Sequence, residues 1–99
     1  MPHATREVTV RNKEGVHARP VMRFVDLASK YRAQVSVTNV SRGGEKLDGK
    51  SAMHLMLLEA VQGNVLCVEA TGDDAQQAVD ALVALVEAAF HMPRPDAST

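Results

Sequence analysis

The apolar residues of this chain recur with two different periods, and segments of the two kinds alternate along its length. An apolar side chain at every second position is typical of a strand with one buried face, whereas recurrence every three or four positions is typical of an amphipathic helix. The shorter period predicts strands at 6–12, 34–40 and 64–72, and a short extended segment at 46–49 follows a glycine-rich reversal. The longer period predicts helices from Ala18 to Tyr31, after Ser51, and from Asp73 to the prolines Pro93 and Pro95.

The predicted elements follow the order β-α-β-β-α-β-α. Strands with a single apolar face favour an antiparallel or mixed sheet that helices cover on one side. We therefore expect an α+β fold, an open-faced two-layer sandwich, in a domain spanning residues 6–91 between a flexible N-terminus at 1–5 and a flexible C-terminal tail at 92–99. Asp73 with Gln76 three residues later resembles a capping box and predicts where the last helix begins.

The composition argues against several classes of protein. The 99 residues suffice for one domain, and a net charge of −1 with one tyrosine, two phenylalanines and no tryptophan argues against a nucleic-acid surface. Cys67 is the only cysteine, so no internal disulfide can form. No apolar run approaches the ~20 residues of a membrane span, and the N-terminus lacks the apolar segment of a signal peptide. We expect a cytoplasmic protein without membrane insertion and without a cofactor. We expect no metal site either, because His3, His54 and His91 have no ligand partners at metal-site spacing.

One histidine lies at the junction between the first strand and the first helix, in the stretch NKEGVHARPV at 12–21. The first turn of a helix presents backbone amides without intrahelical acceptors, and this terminus favours anions such as phosphate. Pro20 costs the helix no hydrogen bond there, and the amides of Ala18 and Arg19 stay available. His17 can act as a nucleophile, because neutral imidazole keeps a lone pair, and the Arg19 guanidinium can pair with phosphate oxygens. The combination predicts a phosphohistidine site; the alternative is that His17 only caps the helix.

Three motifs occur in the order found in one protein family: GVHARP at 15–20, GKSAM at 49–53 and GDD at 72–74. Over about residues 6–90 the chain resembles HPr, the histidine-containing phosphocarrier of the bacterial phosphoenolpyruvate-dependent sugar phosphotransferase system. The resemblance implies a four-stranded antiparallel sheet under three helices, His17 as the histidine that enzyme I phosphorylates on Nδ1, and Arg19 as its accompanying arginine. It also implies a monomer that passes the phosphoryl group to EIIA components, and Ser51 as the serine that HPr kinase/phosphorylase modifies in some bacteria.

The resemblance further implies an exposed apolar patch around the histidine that successive partners contact. Mapped onto this chain, the patch comprises Ala18, Met22, Ala52, Met53 and Met56, with Leu55 and Leu58 turned into the core. Flexible methionines suit a surface that binds unlike partners. Periodicity alone leaves open the alternative that these are ordinary core methionines, because the second helix is too short for its phase to decide.

Several residues leave questions about partners and regulation. His54 stands where the family often has Gly or Lys, Glu59 where a glycine usually follows the second helix, and Asp26 where a lysine often faces partners. Ser51 has an alternative role, since serine is a preferred N-cap and capping alone explains it. The function expected is a phosphocarrier, not an enzyme with its own turnover. The alternative is a regulatory binding module of the same fold, controlled at Ser51 and serving carbon or nitrogen regulation.

Overall fold

The computed structural model describes residues 1–91, which form a four-stranded sheet and three helices. The strands are β1 His3–Thr9, β2 Gln34–Asn39, β3 Leu47–Asp48 and β4 Val65–Thr71. The helices are α1 Ala18–Ala28, α2 Ala52–Leu55, which continues as the 3-10 turn Met56–Leu58, and α3 Ala75–Glu87. A further 3-10 turn, Val40–Arg42, follows β2. The order β-α-β-β-α-β-α is the one predicted from the sequence.

The sheet has the strand order β1-β4-β2-β3, and every neighbouring pair is antiparallel. On β4 the buried residues Leu66, Val68 and Ala70 alternate with half-buried ones, so one face of the sheet is apolar. The helices cover this face, and α3 lies against β1 and β4. The predicted open-faced α+β sandwich is confirmed.

The opposite face of the sheet is polar. Cys67 is half-buried there, and its Sγ lies 3.2 Å from Oγ1 of Thr5 on β1. The Glu69 carboxylate contacts Lys46 Nζ and His3 Nε2, both at 3.1 Å. These two contacts, that of Lys46 first, lower the pKa of Glu69 below its ordinary value.

The first strand begins earlier than predicted. The sequence pattern placed its start at Arg6 after a flexible segment, whereas His3, Ala4 and Thr5 pair with the last three residues of β4. The alternation failed to indicate this start because only the small Ala4 separates two polar residues, and the pairing partner lies more than 60 residues away in sequence. The predicted flexible tail at 92–99 lies outside the described residues.

The capping box predicted at Asp73 and Gln76 is wrong. The residue before α3 is Asp74, and its carboxylate makes no capping bond but accepts from the amides of Arg32 at 2.9 Å and Ala33 at 2.8 Å. These hydrogen bonds, that of Arg32 first, lower the pKa of Asp74 below its ordinary value. Gln76 donates to Asp80 Oδ1 at 2.9 Å instead. Asp74 therefore ties the segment after α1 to the start of α3.

Two helices end before the predicted positions. α1 ends at Ala28, because the amides of Lys30 and Tyr31 bond three residues back, to Leu27 and Ala28, in tighter turns. α3 ends at Glu87, since two left-handed residues, Ala89 (φ 56°) and Phe90 (φ 66°), follow it closely. The predicted stops Pro93 and Pro95 lie outside the described residues. Within residues 1–91, no helix is long and apolar enough to cross a membrane.

Candidate functional site

The loop before α1 is held in a tight turn against the segment that follows α2. Gly15 has φ +71°, a conformation that glycine adopts without steric cost, and a Cβ there would lie 2.5 Å from the carbonyl oxygen of Ala60. The next amide, that of Val16, donates to the same carbonyl at 2.9 Å. Glycine is therefore required for the loop to approach Ala60, and this contact fixes the position from which His17 projects.

His17 is the residue that precedes α1, but its side chain does not cap the helix. Its backbone is extended (φ −135°, ψ −158°), and its carbonyl accepts the first helical hydrogen bond, from the Val21 amide at 2.8 Å. The ring makes no capping bond and is exposed. The capping role that the sequence left open is thus not the one observed, and a ring nitrogen remains available for chemistry.

The first turn of α1 offers the donors that the sequence predicted. The amides of Ala18 and Arg19 meet no acceptor within residues 1–91, as expected for the first residues of a helix. Pro20 is buried beneath them, and the Arg19 side chain is exposed. The exposed ring, two backbone N–H groups and a guanidinium are therefore grouped at one end of α1.

An open hollow of about 610 Å³ lies beside His17. Its walls come from the loop before α1, the first turns of α1 and the chain after α3. The lining residues are Asn12, Glu14, His17, Ala18, Arg19, Pro20, Arg23, Ala89, Phe90 and His91. The sequence predicted three of these, His17, Ala18 and Arg19, as site residues.

Among the residues that the structure describes, two arginines and one carboxylate set the permanent charge of the hollow. Arg19 and Arg23 line it together with Glu14, and among residues 1–91 no ion pair engages any of the three. Arg23 Nη1 donates to the Phe90 carbonyl oxygen at 2.6 Å. Within the same range, no three His, Cys, Asp or Glu side chains are grouped as a metal site requires. Because two arginines outnumber the one carboxylate among these lining residues, the hollow has the net positive charge to hold a small anion.

Asn12 is a buried polar residue at the start of the loop before α1. Its Nδ2 donates to the Gly15 carbonyl oxygen at 2.6 Å, which fixes the orientation of the amide, because a carbonyl can only accept. Its Oδ1 is buried and has no hydrogen-bond partner among residues 1–91. The Gly15 amide donates to the Asn12 backbone carbonyl at 3.1 Å and closes the turn. Asn12 thus stabilises the turn that immediately precedes His17.

The methionines of the predicted partner patch are on the surface. Met22, Met53 and Met56 are 50%, 79% and 47% exposed, whereas Leu55 and Leu58 are buried. Ala18 is exposed and Ala52 is half-buried against the core. The alternative in which these are core methionines is therefore wrong. The same region exposes Leu57 and Val61, which the sequence analysis did not single out.

Ser51 has the capping role that its sequence position allows. It precedes α2, and its Oγ accepts from the His54 amide at 3.2 Å. At the other end of the segment, Glu59 adopts a left-handed conformation (φ 49°, ψ 36°), which glycine adopts without steric cost. Ser51 and Glu59 therefore mark the two ends of α2 and its 3-10 extension.

Four residues of the hollow that the sequence pattern did not indicate are Asn12, Arg23, Phe90 and His91. A usable signal existed for Arg23, because it follows Arg19 by four residues and such residues share one face of a helix. No signal existed for Phe90 and His91, since the pattern of α3 continues to the prolines and does not indicate where the helix ends. Asn12 lies in the quoted stretch, but only the folded loop reveals its burial.

Comparison with known proteins identifies the family of the chain. The family model described as "PTS HPr component phosphorylation site" matches residues 4–88. A phosphocarrier protein HPr from Cupriavidus necator is 40% identical over 85 residues, which cover 86% of this chain and 92% of that protein. A phosphocarrier protein NPr from Proteus mirabilis is 34% identical over 85 residues, with the same two coverages. A multiphosphoryl transfer protein from Haemophilus influenzae is 40% identical over 78 residues, and the chain spans only 16% of its length.

A solved structure extends the likeness to the fold. The HPr of Thermoanaerobacter tengcongensis superposes with a TM-score of 0.78 at 41% identity, covering 91% of this chain and 96% of that one. The family model matches most of the chain, including the stretch around His17, so the sequence and the fold indicate the same family. The chain belongs to the HPr family of phosphocarrier proteins.

Proposed function

We propose that this protein accepts a phosphoryl group from phosphorylated enzyme I on His17 and passes it to the EIIA component of a sugar-specific transferase. The observation that carries the proposal is the exposed ring of His17, which caps nothing and stands at the start of α1 beside free amides and Arg19. Family membership supplies the class of reaction. The protein is then a carrier with a covalent intermediate and not an enzyme with its own turnover.

The transfer step follows from the arrangement of donors. The lone pair of a neutral His17 ring nitrogen, proposed to be Nδ1, attacks phosphorus, and the bond between phosphorus and the donor breaks with its electron pair staying on the donor. Charge on the phosphoryl oxygens is stabilised by the Ala18 and Arg19 amides and by the Arg19 guanidinium. Transfer to the next protein is the same displacement in the other direction. Neither step needs a metal or cofactor from this chain.

The exposed apolar patch is the proposed docking surface for enzyme I and the EIIA component. Met22, Met53 and Met56 expose large apolar surface that a monomeric domain has no structural reason to expose, and unbranched thioethers can repack against unlike partners. Ala18 and Ala52 complete the patch between the start of α1 and α2. We place the protein in the cytoplasm as a monomer, where these partners of the family act.

Ser51 is the proposed regulatory site, a substrate for HPr kinase/phosphorylase in hosts that have this enzyme. Its Oγ already accepts a hydrogen bond at the start of α2, so a phosphate there would remain close to backbone amides and add negative charge beside Ala52 and Met53. Such charge disfavours docking of an acidic partner.

A relay assay tests the proposal. Phosphoenolpyruvate, enzyme I and the protein are incubated first, and a sugar-specific EIIA or its nitrogen-branch counterpart is then added as acceptor. We expect transfer to the sugar-specific acceptor to be faster. Because both HPr and NPr proteins are similar to this chain, the comparison of acceptors decides the branch. Faster transfer to the nitrogen-branch acceptor would contradict the sugar assignment, and failure to accept phosphoryl from enzyme I would contradict the carrier role.

A further inference from the structure

We infer that Arg23 is a second cation of the phosphohistidine site, donating to the phosphoryl oxygens on His17 beside Arg19. The inference rests on the proposed function and adds a residue to the same site. Its ligand is the phosphoryl group itself, not a partner protein.

The position of Arg23 on α1 places it next to Arg19. Side chains four residues apart on a helix have Cβ atoms about 5–6 Å apart on one face. The buried face of α1 consists of other residues, Pro20, Val21, Phe24 and Ala28. Both arginines line the hollow that His17 also lines. Both arginines therefore lie on the same hollow as His17, within which a phosphoryl group on His17 would project.

The chain after α3 holds Arg23 in this position. Ala89 (φ 56°) and Phe90 (φ 66°) are both left-handed, a rare conformation for residues other than glycine, and together they turn the chain back towards α1. The Phe90 ring is 2% exposed, which anchors the turn in the core. Its carbonyl accepts from Arg23 Nη1 at 2.6 Å. A guanidinium has five N–H donors, so this bond orients the group and leaves donors for an anion.

The charges that face the hollow favour an anion with several oxygens. Among residues 1–91, the lining has Arg19 and Arg23 as permanent cations and Glu14 as its one carboxylate, and its other titratable groups are His17 and His91. Among residues 1–91, no carboxylate lies within ion-pairing distance of Arg23, so its charge is not compensated there. A phosphoryl group presents three terminal oxygens, enough for two guanidinium groups and the backbone amides of α1.

A small-molecule donor tests this contact without any partner protein. Phosphoramidate phosphorylates imidazole: the ring lone pair attacks phosphorus, the P–N bond of the donor breaks, and ammonia leaves. The wild type is compared with Arg23→Gln, which keeps the side-chain stem but removes the charge, and with Arg23→Lys, which keeps the charge. Arg32→Gln is the matched control, because Arg32 is an exposed arginine beyond the opposite end of α1.

The readouts are the rate of phosphorylation and the phosphorus NMR titration of the phosphoryl group. We expect Arg23→Gln to slow phosphorylation about two- to fivefold, the range of a partly exposed ion pair, and to raise the pKa of the phosphoryl group. Arg23→Lys should restore part of both changes, and Arg32→Gln should match the wild type. A purely structural role for Arg23 would not move the phosphoryl pKa.

The outcomes separate this inference from the function on which it rests. If the wild type becomes phosphorylated on His17 while Arg23→Gln titrates as the wild type does, the inference is overturned and the carrier role stands. If the wild type gains no phosphoryl group on His17, the carrier role fails and the inference fails with it. Melting temperatures of all four proteins establish that each is folded, and Arg23→Lys against Arg32→Gln still tests the contact if Arg23→Gln does not fold.

Discussion

Replacing Glu59 by glycine should stabilise the fold even though the substitution deletes an ion pair. Glu59 ends the segment after α2 in a left-handed conformation (φ 49°, ψ 36°). Its carboxylate lies 3.3 Å from the Arg42 guanidinium, and the side chains of Arg42 and Glu59 are 52% and 68% exposed. The substitution therefore sets relief of backbone strain against loss of a solvated contact.

The strain is the larger of the two effects. A side-chain-bearing residue in this conformation costs roughly 1–2 kcal/mol, and the greater entropy that glycine loses on folding offsets about 0.4–1 kcal/mol of the relief. An exposed ion pair contributes about 0.2–1 kcal/mol, and the long contact with high exposure favours the lower end. We expect Glu59→Gly to raise the free energy of unfolding by about 0.5 kcal/mol, which corresponds to about 2–4 °C in Tm for a domain of this size.

Urea unfolding of Glu59→Gly and Glu59→Ala separates the two effects. Glu59→Ala keeps the strained backbone and loses the ion pair, so it should be slightly less stable than the wild type. The difference between the two variants, about 0.8 kcal/mol in favour of glycine, isolates the backbone. In an Arg42→Ala background, Glu59→Ala should have no further effect. A glycine variant no more stable than the alanine variant would refute the reasoning.

Three further substitutions test other parts of the account. Arg19→Ala should slow phosphoryl transfer roughly ten- to a hundredfold, the value of a lost charge-assisted contact, at an unchanged Tm; wild-type kinetics would count against its role. Ser51→Asp should preserve or raise the Tm, because aspartate also caps a helix. It should reduce the rate at which enzyme I phosphorylates the protein at low salt, and equal rates would leave Ser51 as a helix cap only. The pKa of Asp74 is lowered in the fold, so its contribution to stability is present above the unfolded pKa and is lost as the pH falls through the folded one. Asp74→Asn should therefore weaken the loss of stability in acid, and an identical acid profile in urea titrations would contradict this.

The element order followed from local patterns of the sequence, and the proposed location of the site rests on the same kind of pattern. Alternating and helical periods are properties of neighbouring residues, so β2, β4 and the apolar stripe of α3 could be predicted without knowledge of the fold. The same holds for Ser51 as an N-cap and for the donors at the start of α1. The surface position of Met53 and Met56 did not follow from periodicity, because α2 is a single turn with a 3-10 extension.

The features that were missed depend on contacts between distant segments. Asp73 with Gln76 resembles a capping box in sequence, but the residue before α3 is Asp74, and its carboxylate accepts from amides about 40 residues earlier. The orientation of Arg23 depends on a turn after α3, which two left-handed residues form without a glycine to signal it. The burial of Asn12 depends on the approach of its loop to Ala60. Local propensity cannot report such contacts, since they form only when the elements pack together.

The most direct test of the account is the identity of the phosphorylated residue. Wild type, His17→Ala and His54→Ala are incubated with phosphoenolpyruvate and enzyme I, and intact mass is measured before and after acid treatment. His54 is the matched control, because its side chain is exposed and only its backbone amide contributes to the cap of α2. The account predicts one acid-labile, alkali-stable phosphoryl group on the wild type and on His54→Ala, and none on His17→Ala. A folded His17→Ala protein that still accepts the group would contradict it.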